Sequence, residues 1–179
     1  MQEDDYSNQA SPHVDLARAT IEAWAKEGRK LSPDEKKEER GKLVGKSAVF
    51  VSLKKGGALR GCIGTFQPTR ETLADEIVTN TISAAFRDPR FPPVSEDELD
   101  ELDISVDVLS EPEPVPDASY LDPRRYGIIV KLGSRTGLLL PDLQGVDSVE
   151  EQIEIACNKA GIEPHEPIQL YRFTVDRFY

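Results

Sequence analysis

The sequence predicts an α+β fold with antiparallel sheets. Apolar segments with a two-residue period arrive in pairs around glycine turns, and segments with helical spacing and helix-cap signals stand between them. A chain of 179 residues is also long enough to build one substantial core, so a single domain over residues 11–179 is expected behind a polar, disordered tail over 1–10.

Element by element, a first helix opens at Ser11 with Pro12 in its first turn and stops at Gly28. Val14, Ala17, Ile21 and Trp24 form its core stripe. Ser32–Arg40 reads as a loop or a short exposed helix. Val49–Leu53 is an apolar strand, and Lys54-Lys55-Gly56-Gly57 turns it into a second strand over Ala58–Phe66. A helix then runs from Pro68 or Thr69 to Phe86, with Leu73, Ile77, Thr81 and Ala84 inward, and ends before Pro89. Ser95 and Glu98 form a capping box. In the strand that follows, Leu102, Ile104, Val106 and Val108 share one face, with Asp103, Ser105 and Asp107 on the other. Glu111–Pro116 is extended or turning. Ile128–Val130 and Leu138–Leu140 make a second hairpin around Gly133-Ser134. Ser148 and Glu151 cap a helix carrying Val149, Ile153, Cys157 and Ala160, which Gly161 ends. Ile168–Phe178 closes the chain as one long strand.

A formal charge of −11 argues against nonspecific attraction to nucleic acid. Ten carboxylates and no basic residue lie in Ser95–Asp117, so the rest of the chain carries only −1 and can still hold an anion-binding patch. No apolar run approaches the roughly 20 residues that span a bilayer. The acidic start does not resemble a secretion signal, so a cytoplasmic location with reduced thiols is expected. Cys62, Cys157, His13 and His165 do not fall at zinc-like spacing, and no cofactor is legible.

Two segments carry the candidate chemistry. In Leu59-Arg60-Gly61-Cys62-Ile63-Gly64, strand alternation puts Arg60, Cys62 and Gly64 on one face. A guanidinium beside a thiol favours thiolate, the nucleophilic form. Gly61 and Gly64 leave room for a ligand or another backbone. The alternative is a small apolar cysteine packed in a sheet, with Gly64 marking a bulge. In Phe86-Arg87-Asp88-Pro89-Arg90-Phe91-Pro92-Pro93, a stiff loop offers Arg87, Asp88 and Arg90 to an anionic ligand, or Asp88 pairs with an arginine to fix the turn. Asn80, on the helix stripe, is a polar residue aimed at a site or at backbone. Asp103 and Asp107 stand roughly 13 Å apart, too far for a glycosidase pair. Glu98 is explained as a cap, Cys157 as core, and the two histidines have no partner by spacing.

With these segments in place, the chain resembles the AMMECR family, and more closely its bacterial and archaeal branch, AmmeMemoRadiSam system protein A. The likeness rests on Leu59–Gly64, on Asp88-Pro89-Arg90-Phe91-Pro92-Pro93, and on Gly137-Leu138-Leu139-Leu140-Pro141 and Lys159-Ala160-Gly161. One departure is Asp107, where similar chains often carry serine. The resemblance implies two unequal lobes, the larger taking both chain ends and the smaller the middle. It also implies partnership with a Memo-like protein and a radical S-adenosylmethionine (radical SAM) enzyme, with RNA modification as the family's proposed activity.

Two expectations follow. One is a cysteine-centred enzyme or enzyme component in which Arg60 holds the Cys62 thiolate and Arg87, Asp88 and Arg90 bind an anionic substrate. The other is a non-enzymatic docking or substrate-delivery module using the acidic Ser95–Asp117 surface. Direct RNA binding has less support, because no basic stripe with interleaved aromatics is present.

Overall fold

In the computed structural model, residues 11–163 and 165–179 are described; the tail expected over 1–10 lies outside them. The chain divides into two compact units. One runs to Asp107 and takes back Arg177–Tyr179, and the other is Val108–Asp176.

In the first unit, helix α1 spans Pro12–Glu27. The Ser11 hydroxyl accepts from the His13 N–H at one end, and Gly28 takes the left-handed conformation at the other. Val14, Ala17 and Ile21 are buried as expected, while Trp24 is half-buried. Helix α2, Lys37–Lys42, is short and buries nothing. Strands β1 (Val49–Lys55) and β2 (Ala58–Gly64) form a hairpin on Gly56-Gly57, both at positive φ. Such a two-residue turn needs left-handed backbone, which glycine supplies without a steric penalty.

Helix α3 covers Leu73–Phe86 and begins later than the position of Pro68 suggests. The reason is Glu76, whose carboxylate is fully buried and holds the preceding loop. It accepts the N–H groups of Thr69 and Arg70 at 2.7 and 2.8 Å and the Thr65 hydroxyl at 2.7 Å. Those N–H groups are satisfied as loop, and the helix starts after its true N-cap, Thr72, which accepts from the Asp75 N–H.

A 3-10 turn at Glu96–Glu101 carries the expected Ser95–Glu98 capping box and leads into β3, Leu102–Leu109. The alternation predicted for β3 holds through Val106 and then fails, because Asp107 is buried and Val108 is half-exposed. The first sheet has the order β2-β1-β3-β8, with β8 at Val175–Phe178.

The second unit contains β4 (Glu113–Val115), β5 (Gly127–Leu132), β6 (Arg135–Leu139), helix α4 (Val149–Ala160) and β7 (Gln169–Phe173). Its sheet has the order β4-β7-β5-β6, with antiparallel pairing in the β4–β7, β5–β7 and β5–β6 ladders. Helix α4 packs Ala156 and Cys157 against Ile128, Val130 and Leu139. The single long strand expected over Ile168–Phe178 is two strands in different sheets. The break falls at Thr174, whose N–H and C=O both go to Ser110, at 2.9 Å each. Bonded to a loop residue there, the backbone cannot also continue a ladder. Among the described residues no helix is long and apolar enough to cross a membrane.

Candidate functional site

The two motifs singled out in the sequence meet at one residue. Strand β2 is an edge strand, so at Cys62 the backbone groups turned away from β1 need partners. The loop after α3 supplies them. The Asp88 carboxylate accepts the Cys62 N–H at 3.0 Å, and the Arg90 guanidinium donates to the Cys62 carbonyl at 3.0 Å. Asp88 and Arg90 also bind each other, Nε to Oδ1 at 2.9 Å and a terminal nitrogen to Oδ2 at 2.7 Å. The pair thus takes the place of a neighbouring strand for one residue. Asp88 is buried while the Arg90 side chain is 54% exposed. The fork of hydrogen bonds from Arg90 holds the Asp88 carboxyl far below the usual carboxylate range and raises the guanidinium in turn.

Because the Cys62 N–H and C=O point outward to this clamp, Cys62 and the residue opposite it, Ser52, form a non-hydrogen-bonded pair, the kind that brings side chains closest. The Cys62 sulfur lies 3.2 Å from the Ser52 hydroxyl. Burial pushes the thiol pKa up; the Ser52 hydrogen bond and the Arg90 charge pull it down, and Asp107 and Asp88 push it up. The net direction is upward, so the thiol is protonated at neutral pH.

Arg60 does not hold a thiolate. Lys54 pairs with Leu59 and Leu53 with Gly61, so Arg60 is the extra residue of a β-bulge and has no partner opposite. A bulge breaks the alternation that would set Arg60 beside Cys62. Its guanidinium instead forks onto Glu98 at 2.9 and 2.8 Å and donates to the Pro92 carbonyl at 2.9 Å. Arg60, followed by the Ser95 N–H, draws the Glu98 carboxyl down to about 2. Glu98 is therefore an ion-pair partner as well as a cap. The arginine beside Cys62 is Arg90.

A profile of the AMMECR1 family matches residues 14–178. The chain belongs to the AMMECR1 family. It is 53% identical to a Thermotoga maritima protein over 169 residues, which is 93% of this chain and 97% of that relative. It is 46% identical to a longer Clostridium acetobutylicum protein over 182 residues, covering 99% of this chain and 38% of the other. The crystal structure of an uncharacterised Pyrococcus horikoshii protein has a similar fold, with a TM-score of 0.85 and 34% identity across 94% of this chain and 89% of that one. The α+β architecture predicted from sequence is thus shared by this solved relative.

The remaining candidates in this AMMECR1-family chain have structural occupations. Protein atoms fill the space that the glycines of the signature leave. A Cβ on Gly61 would sit 2.2 Å from the Ala84 carbonyl oxygen of α3, and one on Gly64 would sit 2.2 Å from the Phe50 ring. Asn80 is buried and its amide donates to the Val49 carbonyl at 2.9 Å and the Thr65 hydroxyl at 3.3 Å, tying α3 to the hairpin and the residue that follows it. Arg87 stands apart from Asp88 and Arg90, stacked over Trp24 with 5.7 Å to the ring centre. The departure at Asp107 brings its own counterion, because Arg177 forks onto it at 2.7 and 3.0 Å. Cys157 is buried in the second unit's core, and both cysteines are free. Among the described residues, no three or more His, Cys, Asp or Glu side chains converge on a metal position.

Sequence reasoning missed Ser52 and the partners Glu98 and Arg177. For Ser52 a signal existed: a lone hydroxyl between the apolar Val51 and Leu53, on the strand that faces the signature.

Proposed function

We propose that this chain is a cysteine-centred enzyme or enzyme component, acting in the cytoplasm with a Memo-like protein and a radical SAM enzyme of the AmmeMemoRadiSam type. Its task is the modification of RNA or of a small molecule. The supporting observation is that Asp88 and Arg90 grip both backbone groups of Cys62, so the sulfur is held at one place beside the Ser52 hydroxyl. Such rigidity suits a group that must meet a substrate atom in fixed geometry. The half-exposed Arg90 places a cation near that sulfur for an anionic substrate group.

A protonated thiol must lose its proton before it can attack. The Asp88 carboxylate, held far below the usual carboxylate range by the Arg90 fork, makes a poor base, and Asp107 is taken up by Arg177. In this reading the base comes with the substrate or the partner. Cys62→Ser, at matched thermal stability, is expected to abolish turnover in an assay reconstituted with the two partners. Undiminished turnover in that variant rules the reading out.

A second reading has its own support. Glu96, Asp97, Asp100 and Asp103 are exposed on the 3-10 turn and the start of β3, and no ion pair among the described residues takes them. In that reading the surface steers a basic partner onto a non-enzymatic docking module. Replacing these four with their amides is expected to weaken partner binding about tenfold at low ionic strength and far less at 0.5 M salt. Binding that ignores both salt and the substitutions excludes it.

A further inference from the structure

We propose that Ser52 is the positioning residue for the Cys62 thiol: its hydroxyl fixes the sulfur across the strand pair and donates to it when the thiolate forms. This deepens the cysteine-centred reading and rests on it.

The placement follows from three features of the hairpin. The β-bulge at Arg60 shifts the register by one residue, so Ser52, not its neighbour, stands opposite Cys62. The Asp88–Arg90 clamp takes the outward backbone groups of Cys62 and so makes the pair a close, non-hydrogen-bonded one. On either side of Ser52, Val51 and Leu53 are fully buried, which locks β1 against rotation. The hydroxyl is thereby set 3.2 Å from the sulfur, within normal reach of an O–H to sulfur bond. With the thiol protonated, either group can donate. Once the proton is gone, only the hydroxyl can, and a bond to an anion is stronger than one between neutral groups.

The other groups acting on Cys62 set the background for this effect. Asp88 and Arg90 reach it from the loop after α3, and Asp107 acts on it from β3. All three are ion-paired, Asp107 through Arg177. The Asp88 carboxyl is held far below the range in which a thiol titrates and the Arg90 guanidinium is raised above it, and Ser52 is the neutral partner beside the sulfur.

The test is the rate of Cys62 alkylation by iodoacetamide against pH, in a Cys157→Ser background, for the parent, Ser52→Ala and Ser52→Thr. Ser52→Ala is expected to move the titration to higher pH and to slow labelling at pH 8 by roughly three- to tenfold. Ser52→Thr keeps a hydroxyl on a β-branched residue that strands favour, and is expected to restore most of the rate. Far-ultraviolet circular dichroism and thermal midpoints check that all three chains are equally folded. If the alanine variant titrates like the parent, or if threonine behaves like alanine, the proposal is wrong. The partner-system assay of Cys62→Ser separates the two claims. A fully active serine variant removes the enzymatic reading whatever the Ser52 titrations give, whereas an unchanged Ser52→Ala titration removes only the role of Ser52.

Discussion

Gly61→Ala is expected to destabilise the protein by about 3 kcal/mol, the upper end of the usual range for overpacking a filled site. The obstacle is backbone: the new methyl would lie 2.2 Å from the Ala84 carbonyl oxygen and 3.2 Å from its carbon. No side-chain rotamer change relieves such a contact, so the helix must move off the sheet. That movement disturbs Leu53, Ile77 and Ala84, all nearly or fully buried in the first unit's core. Equilibrium urea unfolding followed by Trp24 fluorescence measures the loss. A midpoint within experimental error of the parent would show that the helix and strand are not in this close contact.

Asp88→Ala is expected to cost about 2 to 3 kcal/mol, because it leaves a backbone N–H on the sheet edge without its acceptor and breaks a partly buried ion pair. The Arg90 guanidinium, being half-exposed, recovers water and softens the loss. The signature of the pair is its pH dependence. Asp88's carboxyl is held below its unfolded value, so its contribution is fully present above about pH 4, the unfolded carboxylate value. It declines as the pH falls further toward the depressed folded value. The stability difference between parent and Asp88→Ala should therefore be constant from pH 5 to 8 and shrink below pH 4. A difference that grows in acid would contradict the assignment. Hydrogen exchange at the Cys62 amide gives an independent check, since that N–H loses protection when its acceptor is removed.

These two substitutions bear on one device. The Leu59–Gly64 and Asp88–Pro93 segments are 24 residues or more apart in the chain, yet Arg60 reaches the Pro92 carbonyl while Asp88 and Arg90 reach Cys62. Asp88 and Arg90 are explained first by what they do to the strand edge. Of the two, Arg90 keeps its guanidinium half-open to solvent.

Much of the fold was legible because local chemistry decides it. Ser11 with Pro12 and Gly28, Gly56-Gly57, and Ser148 with Glu151 and Gly161 are each start, turn or stop signals whose physics is complete within a few residues. The helix start at Thr72 was not legible, because it depends on Glu76 being buried and holding the Thr69 and Arg70 N–H groups. The division of the last strand at Thr174 depends on Ser110, 64 residues away.

The sequence by itself determined the hairpin that carries Cys62 and the glycines that flank it, which are readable as they stand. Only the tertiary structure decided the neighbours of Cys62. Counting outward from the Gly56-Gly57 turn places Gly61 opposite Ser52 and Arg60 in step with Cys62; the bulge at Arg60 slips that count by one residue. With a two-residue period, one slip exchanges which residues face each other. It gives Cys62 a serine in place of the expected arginine and sends Arg60 to Glu98. Whether a strand bulges depends on what packs against it, here α3 against Gly61 and the proline loop against Arg60. Local residue patterns do not carry that information.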